Sequence, residues 1–527
     1  MIEKLQSLWP EITLLTAACV VMITGQSASA AVRRLSWSIC AAALIAAGLL
    51  AYSTTAASGH ALPHMAMYGK IVTCVVGLLL LLMVAGIADR AYEAEVARGK
   101  TVFDAIRATR GEFYAFFMFS LTGLMLCFGA DDLVWLFLAL ELVSLPTYIM
   151  VATSTSKNAS MEAGVKYFFL GALGAATFLY GFALIYGATG ATNLVQIHSA
   201  FAAQIAAGGL NTIGIVGLIL AVVGVSFKIA AVPMHFYTPD VYQGASASVS
   251  AFLAFVPKSA GFATIILLLS TVGWLPSSDY PSGALPMPVH AVLWVMAVVT
   301  MTVGNVLALL QTSVKRTLAY SSIAHSGYML VGVIAGPGKG DDFASSGIAA
   351  VLFYLLVYGV TNVGTFAVVA AMQRQNRDGT HSEADRIEDL RGMCATNPMM
   401  GWTMVICSAS LLGLPPLLGF FGKLPLFSAG ISGGHIGLVV ILGLNSAIAA
   451  FYYLRLAAYP LLESPDMAAR TSNPITQVPV TGRWLAGVLS VVGVIALAIW
   501  PVTSAAKFGA TYKTKVAVPG GQVAQGK

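Results

Sequence analysis

Residues 217–236 read GLILAVVGVSFKIAAVPMHF, and residues 411–427 read LLGLPPLLGFFGKLPLF. Each is an apolar run that carries one lysine, Lys228 or Lys423, and is broken by proline, Pro233 or the pair Pro415 and Pro416. A charge at mid-membrane costs about 2.5–3.5 kcal/mol on insertion scales. A proline removes a backbone donor and turns the preceding residue away from helix. A proline on its own could simply kink a helix. Here each break lies within eight residues of a deep lysine. Interrupted helices beside ionisable groups, in corresponding places of two halves, are the sequence mark of a transport site. The freed carbonyls can then meet a charged carrier inside protein rather than lipid.

The rest of the chain supports a membrane reading. Of 527 residues, 58% are hydrophobic and 9% charged, against about 25% charged in an ordinary soluble domain. Soluble enzymes and nucleic-acid binders are excluded. Apolar runs bounded by charge, Gly or Pro predict fourteen spans, starting near Leu8, Ser36, Met65, Phe113, Leu133, Met161, Asn211, Ala245, Pro288, Thr317, Ser345, Pro398, Ile436 and Trp484. The runs are too long, and lack the two-residue alternation, for a β-barrel. The opening MIEKLQSLWPEI is interrupted by acids, so the first span is expected to stay rather than be cleaved as a signal. Loops after odd-numbered spans hold 16 basic residues; loops after even-numbered spans and both termini hold six. Positive loops stay in the cytoplasm, so both termini are expected on the outer side. The long polar stretches 89–111, 374–397 and 463–482 fall in the cytoplasm, and none is long enough for a domain. Six scattered cysteines form no CxxC or Cys/His cluster, so no metal site is expected.

Several ionisable residues have a simple reading. Lys70, five residues into its span, is expected to snorkel outward. Glu162, Lys166 and Arg455 lie near span ends and read as interfacial. Five others are deep: Glu141 in LVWLFLALELVSLPTYIM, Lys228, Lys258 in SAFLAFVPKSAGFATIILL, His325 in TLAYSSIAHSGYMLVGV, and Lys423. A lone histidine in a span is often just hydrogen-bonded to a neighbouring helix. Three lysines, a glutamate and a histidine together point to an ion path. Lysine suits protons: desolvation disfavours its charged form and a nearby carboxylate restores it. A Glu141–Lys228 pair could act as a switch.

Spacing divides the chain into an N-terminal unit of three spans (1–111), a five-helix unit of spans four to eight (112–272), a second of spans nine to thirteen (288–462), and a last span (482–503). Lys228 and Lys423 lie in the fourth span of each unit, Glu141 and His325 in the second. Five is odd, so consecutive copies point opposite ways, an inverted repeat. The correspondence is imperfect. Lys228 precedes its proline while Lys423 follows, and Lys258 is matched in span thirteen only by Asn445 and, nearer its end, Arg455.

FKIAAVPMHFYTPDVYQGA (227–245), KYFFLGALGAATFLYGFALIYGATG (166–190), KRTLAYSSIAHSGYML (315–330) and GLPPLLGFFGKLPLF (413–427) together resemble the antiporter-like membrane subunits of respiratory complex I. They are most similar to the N-type subunit of bacterial proton-pumping NADH–quinone oxidoreductase. The TPDVY run and a lysine after GFFG favour the N-type over the M-type, which carries glutamate there. The chain stops after span fourteen, without the long lateral helix of the L-type. The resemblance runs from span four to span thirteen. It implies an all-α polytopic protein with two broken-helix repeats and a share in proton translocation. It carries the proton path onto Glu141, Lys228, Lys258, His325 and Lys423. Gln243 and Ser246 depart from the family's usual Glu and Pro, so any role of a carboxylate at 243 is lost.

The resemblance further implies no redox centre in this chain, with FMN, iron–sulfur clusters and quinone in partner subunits. Partners are expected to be neighbouring antiporter-like and small membrane subunits, in the bacterial inner membrane, with no nucleic acid. Protons are expected to come from the cytoplasm toward Lys258 and to pass through His325 to Lys423 and the outside. The alternative is an Mrp-type cation/proton antiporter subunit, which shares the broken-helix lysines. A structural scaffold and an independent small-solute carrier are weaker alternatives.

Overall fold

A computed structural model describes residues 2–499 except 54–61, 86–94, 97, 103, 105–108, 156–157, 276, 339–344, 376–380, 463–474 and 478–480. Its helices run α1 Ile2–Ser7, α2 Trp9–Thr24, α3 Ala30–Ser53, α4 Pro63–Val84, α5 Arg110–Phe128, α6 Leu133–Ala152, α7 Asn158–Thr189, α8 Leu194–Ala206, α9 Thr212–Val225, α10 Thr238–Gly244, α11 Ala247–Val272, α12 Met287–Leu309, α13 Val314–Ala335, α14 Gly347–Ala371, α15 Met393–Thr396, α16 Pro398–Leu412, α17 Leu418–Ser432, α18 Ile436–Leu462 and α19 Thr481–Ile499. Among the described residues, eleven helices are long and apolar enough to cross a membrane. The shorter apolar helices α2, α9 and α16 fall on three further expected spans. The chain is a multi-pass helical membrane protein. Residues 500–503, the tail lysines and parts of the long polar stretches lie outside the described residues.

Both interruptions stand where the prolines are. α9 is capped by Asn211, whose side chain accepts from Gly214 N, and ends at Val225. Turns then carry the chain through Lys228 and the cis Val232–Pro233 bond to α10. Span twelve divides into α16 and α17 around Gly413 and the cis Pro415–Pro416 bond. Gly413 has φ 92°, and a Cβ there would stand 3.1 Å from Lys423 Cδ. Glycine is required both by the left-handed backbone and by the lysine stem beside it.

The two five-helix units pack alike. In the first, α5 meets α6, α6 meets α7, α7 meets α9, and α11 closes on α5 and α6. In the second, α12 meets α13, α13 meets α14, α14 meets α16 and α17, and α18 closes on α12 and α13. Every residue of α11 is buried, and it contacts both α13 and α14 of the other unit. The centre of the molecule is therefore the joint between the units, carrying Lys258 from one and His325 from the other.

Two features were not foreseen. Asn193 caps a thirteen-residue helix, α8, by accepting from Val195 N and Gln196 N. Its buried Leu194, Ile197 and Phe201 recur at helical spacing, a signal present in the sequence but overshadowed by the longer runs. Strands β1 Met372–Gln375, β2 His381–Glu383 and β3 Ile475–Gln477 form an antiparallel sheet in the order β2-β1-β3. Two of the long polar stretches thus join beside the helices rather than lying apart.

α7 and α9 approach closely because small residues face each other. A Cβ at Gly181 would stand 2.4 Å from Ala221 N, and one at Gly224 would stand 2.4 Å from Phe178 N. Lipid gives little hydrophobic drive between helices, so such close contact supplies the cohesion. Gly181→Val is expected to push α9 away and to lower the melting temperature of the detergent-solubilised protein. Val in place of the open Gly187, which has nothing within 4 Å, should leave it nearly unchanged.

Candidate functional site

Glu141 is the ninth residue of α6, a helix capped by Asp132, whose side chain accepts from Val134 N. Lys228 projects from the break after α9. Its Nζ stands 3.9 Å from Glu141 Oε1 and donates to Ser144 Oγ. Ser144 Oγ in turn donates to the Leu140 carbonyl at 2.6 Å. The Phe227 and Phe178 rings flank the ammonium at 5.6 and 6.0 Å. The lysine side chain is 1% exposed and the glutamate side chain 21%, so Glu141 is the more exposed member of the pair. The expected pair forms, with a serine shared between charge and helix.

Lys258, in the middle of α11, has different surroundings. Its Nζ donates to the Ser322 carbonyl and, at 2.6 Å, to Ser326 Oγ, both on α13. Ser326 Oγ donates to the Ile229 carbonyl, one of the groups freed by the break beside Lys228. One hydroxyl from the second unit thus links Lys258 to the backbone break that carries Lys228. The Tyr358 ring lies 5.1 Å from Lys258 Nζ and 5.1 Å from the His325 ring.

His325 is fully enclosed. Its Nδ1 shares a hydrogen bond with Tyr354 OH and its Nε2 with Tyr453 OH, each at 2.7 Å. Tyr453 OH also meets Ser321 Oγ. Lys423 Nζ donates to the Leu412 carbonyl, freed by the second break, at 2.8 Å, and lies 5.2 Å from the Tyr328 ring. Tyr328 packs edge-on against His325, with centroids 5.4 Å apart. All five expected residues therefore fall on one polar line through the bundle: Glu141, Lys228, Lys258, His325, Lys423. The three lysines donate to hydroxyls and to carbonyls.

Sequence reasoning missed the groups between them. On α13, Ser321 and His325 are four residues apart, as are Ser322 and Ser326, and together they make a polar stripe in a helix that otherwise reads as a plain span. Tyr354 and Tyr358 are one turn apart on α14. Asn445, noted only as a weak counterpart of Lys258, accepts from Asn305 Nδ2 at 3.1 Å, and the same nitrogen donates to Tyr328 OH at 2.8 Å.

Lys70 overturns the snorkelling expectation. It is buried, forms an ion pair with buried Glu11 at 2.8 Å, and donates to the Ser7 carbonyl at 2.6 Å. A partner on α2, out of sight in a linear reading of α4, holds it inward. Lys166 and Glu162, read as interfacial, pair at 2.8 Å on an exposed surface, and Lys166 also reaches Asp240 at 3.2 Å. Arg455 donates to the Gln311 carbonyl. At the departing position, Gln243 Oε1 accepts from Arg316 at 3.1 Å beside the Arg316–Asp240 ion pair at 2.8 Å.

Residues 130–449 match the family described as NADH:quinone oxidoreductase/Mrp antiporter, TM. NADH-quinone oxidoreductase subunit N 1 of Sorangium cellulosum is 41% identical over 400 residues, covering 76% of this chain and 75% of that protein. The chain belongs to the subunit N family of NADH-quinone oxidoreductase. Subunit N of Nitrosomonas europaea is 34% identical over 87% of this chain and 89% of that protein. A chain of respiratory complex I from Thermus thermophilus with bound Aureothin superposes with a TM-score of 0.70 at 28% identity, over 93% of this chain and 98% of that one. A chain of the Mrp complex from Dietzia sp. shares the subunit N fold, with a TM-score of 0.72 at 19% identity over 97% of each chain.

Removing one partner of a buried ion pair strands the other, at a cost of about 3–5 kcal/mol. Lys70→Met is therefore expected to lower thermal stability by that order. Combining it with Glu11→Gln should return much of the loss, as read by the unfolding midpoint.

Proposed function

We propose that this chain is a membrane-arm subunit of a bacterial NADH–quinone oxidoreductase and translocates protons along the line from Glu141 to Lys423. The observation that carries this is the placement of three buried lysines and a histidine on one polar line, with both helix breaks opening onto it. Subunit N identity over most of the chain supports the assignment. Residues 112–272 and 288–462 are the two transport units. The chain acts as part of a translocase: electron transfer from NADH to quinone, with its flavin and iron–sulfur groups, belongs to partner subunits. Neighbouring antiporter-like and small membrane subunits continue the polar line. The protein resides in the bacterial plasma membrane with both termini outside, as the excess of basic residues on the opposite loops indicates.

The chemistry follows from charge and solvation. A carboxylate beside Lys228 holds the ammonium charged, and its withdrawal favours release of the proton. A charge change at Lys228 is felt at Lys258 through Ser326 and the Ile229 carbonyl. His325, held between two tyrosine hydroxyls, can accept at one nitrogen while donating from the other. Lys423, at the second break, is the group from which the proton leaves. Glu141, the more exposed member of its pair, is where a neighbouring subunit would set the state of the line.

The test uses the complete complex in proteoliposomes, measuring protons pumped per NADH oxidised. Glu141→Gln and Lys228→Ala are each expected to lower that ratio while the complex still assembles and reduces quinone. An unchanged ratio in both would remove the coupling role. Co-purification with small membrane partners only, no NADH oxidation, and sodium or potassium flux would instead favour the Mrp-type cation/proton antiporter.

A further inference from the structure

β2 and the residues just after it lie over the starts of the two central helices. Glu383, the last residue of β2, takes the main-chain N–H of Ala247, the first residue of α11, at 2.9 Å on Oε1 and 3.2 Å on Oε2. Lys315, the second residue of α13, is buried and lies 2.9 Å from Glu383 Oε2. Its ammonium also donates to the Ala245 carbonyl at 2.9 Å. Asp385, two residues on, accepts from Lys315 N at 2.8 Å and from Ser313 Oγ at 2.7 Å. Burial holds the Asp385 carboxyl above the usual carboxylate range, against the opposing pull of Lys315. One short segment therefore grips the helix of Lys258 and the helix of His325 at their basic-loop ends.

From Glu383 inward, buried hydroxyls lead to Lys258. Ser246 Oγ comes first, beside the capped N–H. Ser250, one turn further, donates to the Tyr242 carbonyl at 2.8 Å. The Tyr242 and Tyr358 hydroxyls both lie beside the Ser322 hydroxyl. The Ser322 carbonyl and the Tyr358 ring contact Lys258 Nζ itself. Ser246 Oγ, Ser322 Oγ and Tyr358 OH are buried without a hydrogen-bond partner of ordinary geometry among the described residues. Ser246 stands next to Ala247 at the start of α11, and Ser322 and Tyr358 stand at Lys258, roughly 16 Å further along that helix. Glu383 is the acid at the head of this row that is open to solvent, its side chain 22% exposed against 7% for Lys315.

We infer that Glu383 is the proton-collecting group of this chain, with Lys315 as the latch on it and the Ser246–Ser322–Tyr358 row as the way to Lys258. The inference rests on the proton-translocating reading above and names the entrance of that path. A proton from cytoplasmic water binds the Glu383 carboxylate and breaks its ion pair with Lys315. The acid passes its proton into water ordered by the buried hydroxyls, and a proton reaches the Lys258 amine, which becomes the ammonium. Glu383, again a carboxylate, re-forms its pair with Lys315. Charge and protons balance, since one proton leaves the cytoplasm and one arrives on Lys258.

The test compares Glu383→Gln, Glu383→Asp and Lys258→Ala in the complete complex reconstituted with its cytoplasmic face outward. Protons pumped per NADH are followed as the external pH is raised. Glutamine still accepts from Ala247 N but cannot collect a proton. The expected result for Glu383→Gln is a loss approaching that of Lys258→Ala, growing as protons become scarce, and restored by aspartate. Wild-type pumping in Glu383→Gln at every pH, with Lys258→Ala impaired, overturns the entrance and leaves the transport function standing. A loss independent of pH and not restored by aspartate also overturns it, since a cap alone would behave so. Full pumping in Lys258→Ala removes both readings. Should Glu383→Gln not assemble, Ser322→Ala decides: a pumping loss in an assembled, quinone-reducing complex supports the row, and unchanged pumping overturns it.

Discussion

An ammonium group has three donors and no acceptor. In a bilayer it finds neither water nor a spare carbonyl, because an intact helix uses its own carbonyls internally. The two breaks and the hydroxyls around them answer that constraint. Leu412, at the end of α16, gives its carbonyl directly to Lys423. Ile229, in the first break, gives its carbonyl to Ser326, which accepts from Lys258. The irregular backbone thus solvates Lys423 directly and Lys258 by way of Ser326, while Ser144 and Glu141 hold Lys228. The tight helix contacts, the glycine at 413 and the burial of α11 follow from keeping those groups inside protein.

The same economy explains why the molecule is built twice. A single broken-helix unit would offer one freed segment and one lysine. Two units pointing opposite ways set their breaks on a common line, and the joint between them, α11 against α13, carries a lysine of one facing serines of the other. The charged groups differ in how they are held. Lys228 has a carboxylate at 3.9 Å, whereas Lys258 and Lys423 are held by neutral acceptors. A line of positive carriers with a carboxylate at one end is biased from that end, which suits control by a neighbouring subunit. Asn305 and Asn445 tie α12 to α18 beside Tyr328 and keep the far end of the line equally ordered.

Much of this was legible in one dimension. Spans announce themselves because lipid tolerates only long apolar helices, and the breaks do so because proline cannot complete a helix. Deep Glu141, Lys228, Lys258, His325 and Lys423 stood out because each costs free energy to bury. Serines and tyrosines cost little at mid-span and carry no such signal. Ser326, Ser322 and Tyr354 were therefore invisible as members of the line until their hydrogen bonds were seen. Lys70 was misread for a related reason: Glu11, 59 positions earlier in the chain, sits near a helix start and looks interfacial.

By itself the sequence determined the environment, the number of spans, the places where helices break and the residues bearing charge. These depend on the composition and spacing of neighbours along the chain. Only the tertiary structure decided which charge meets which acceptor. It alone set Lys228 between Glu141 and Ser144, placed Ser326 across the units, drew Lys70 inward to Glu11, and folded Glu383 onto the start of α11. Hydrogen bonds and ion pairs act over about 3–4 Å, and residues brought that close here, such as Ala247 and Glu383, can be separated by 136 positions in sequence or more. No local pattern encodes such a meeting.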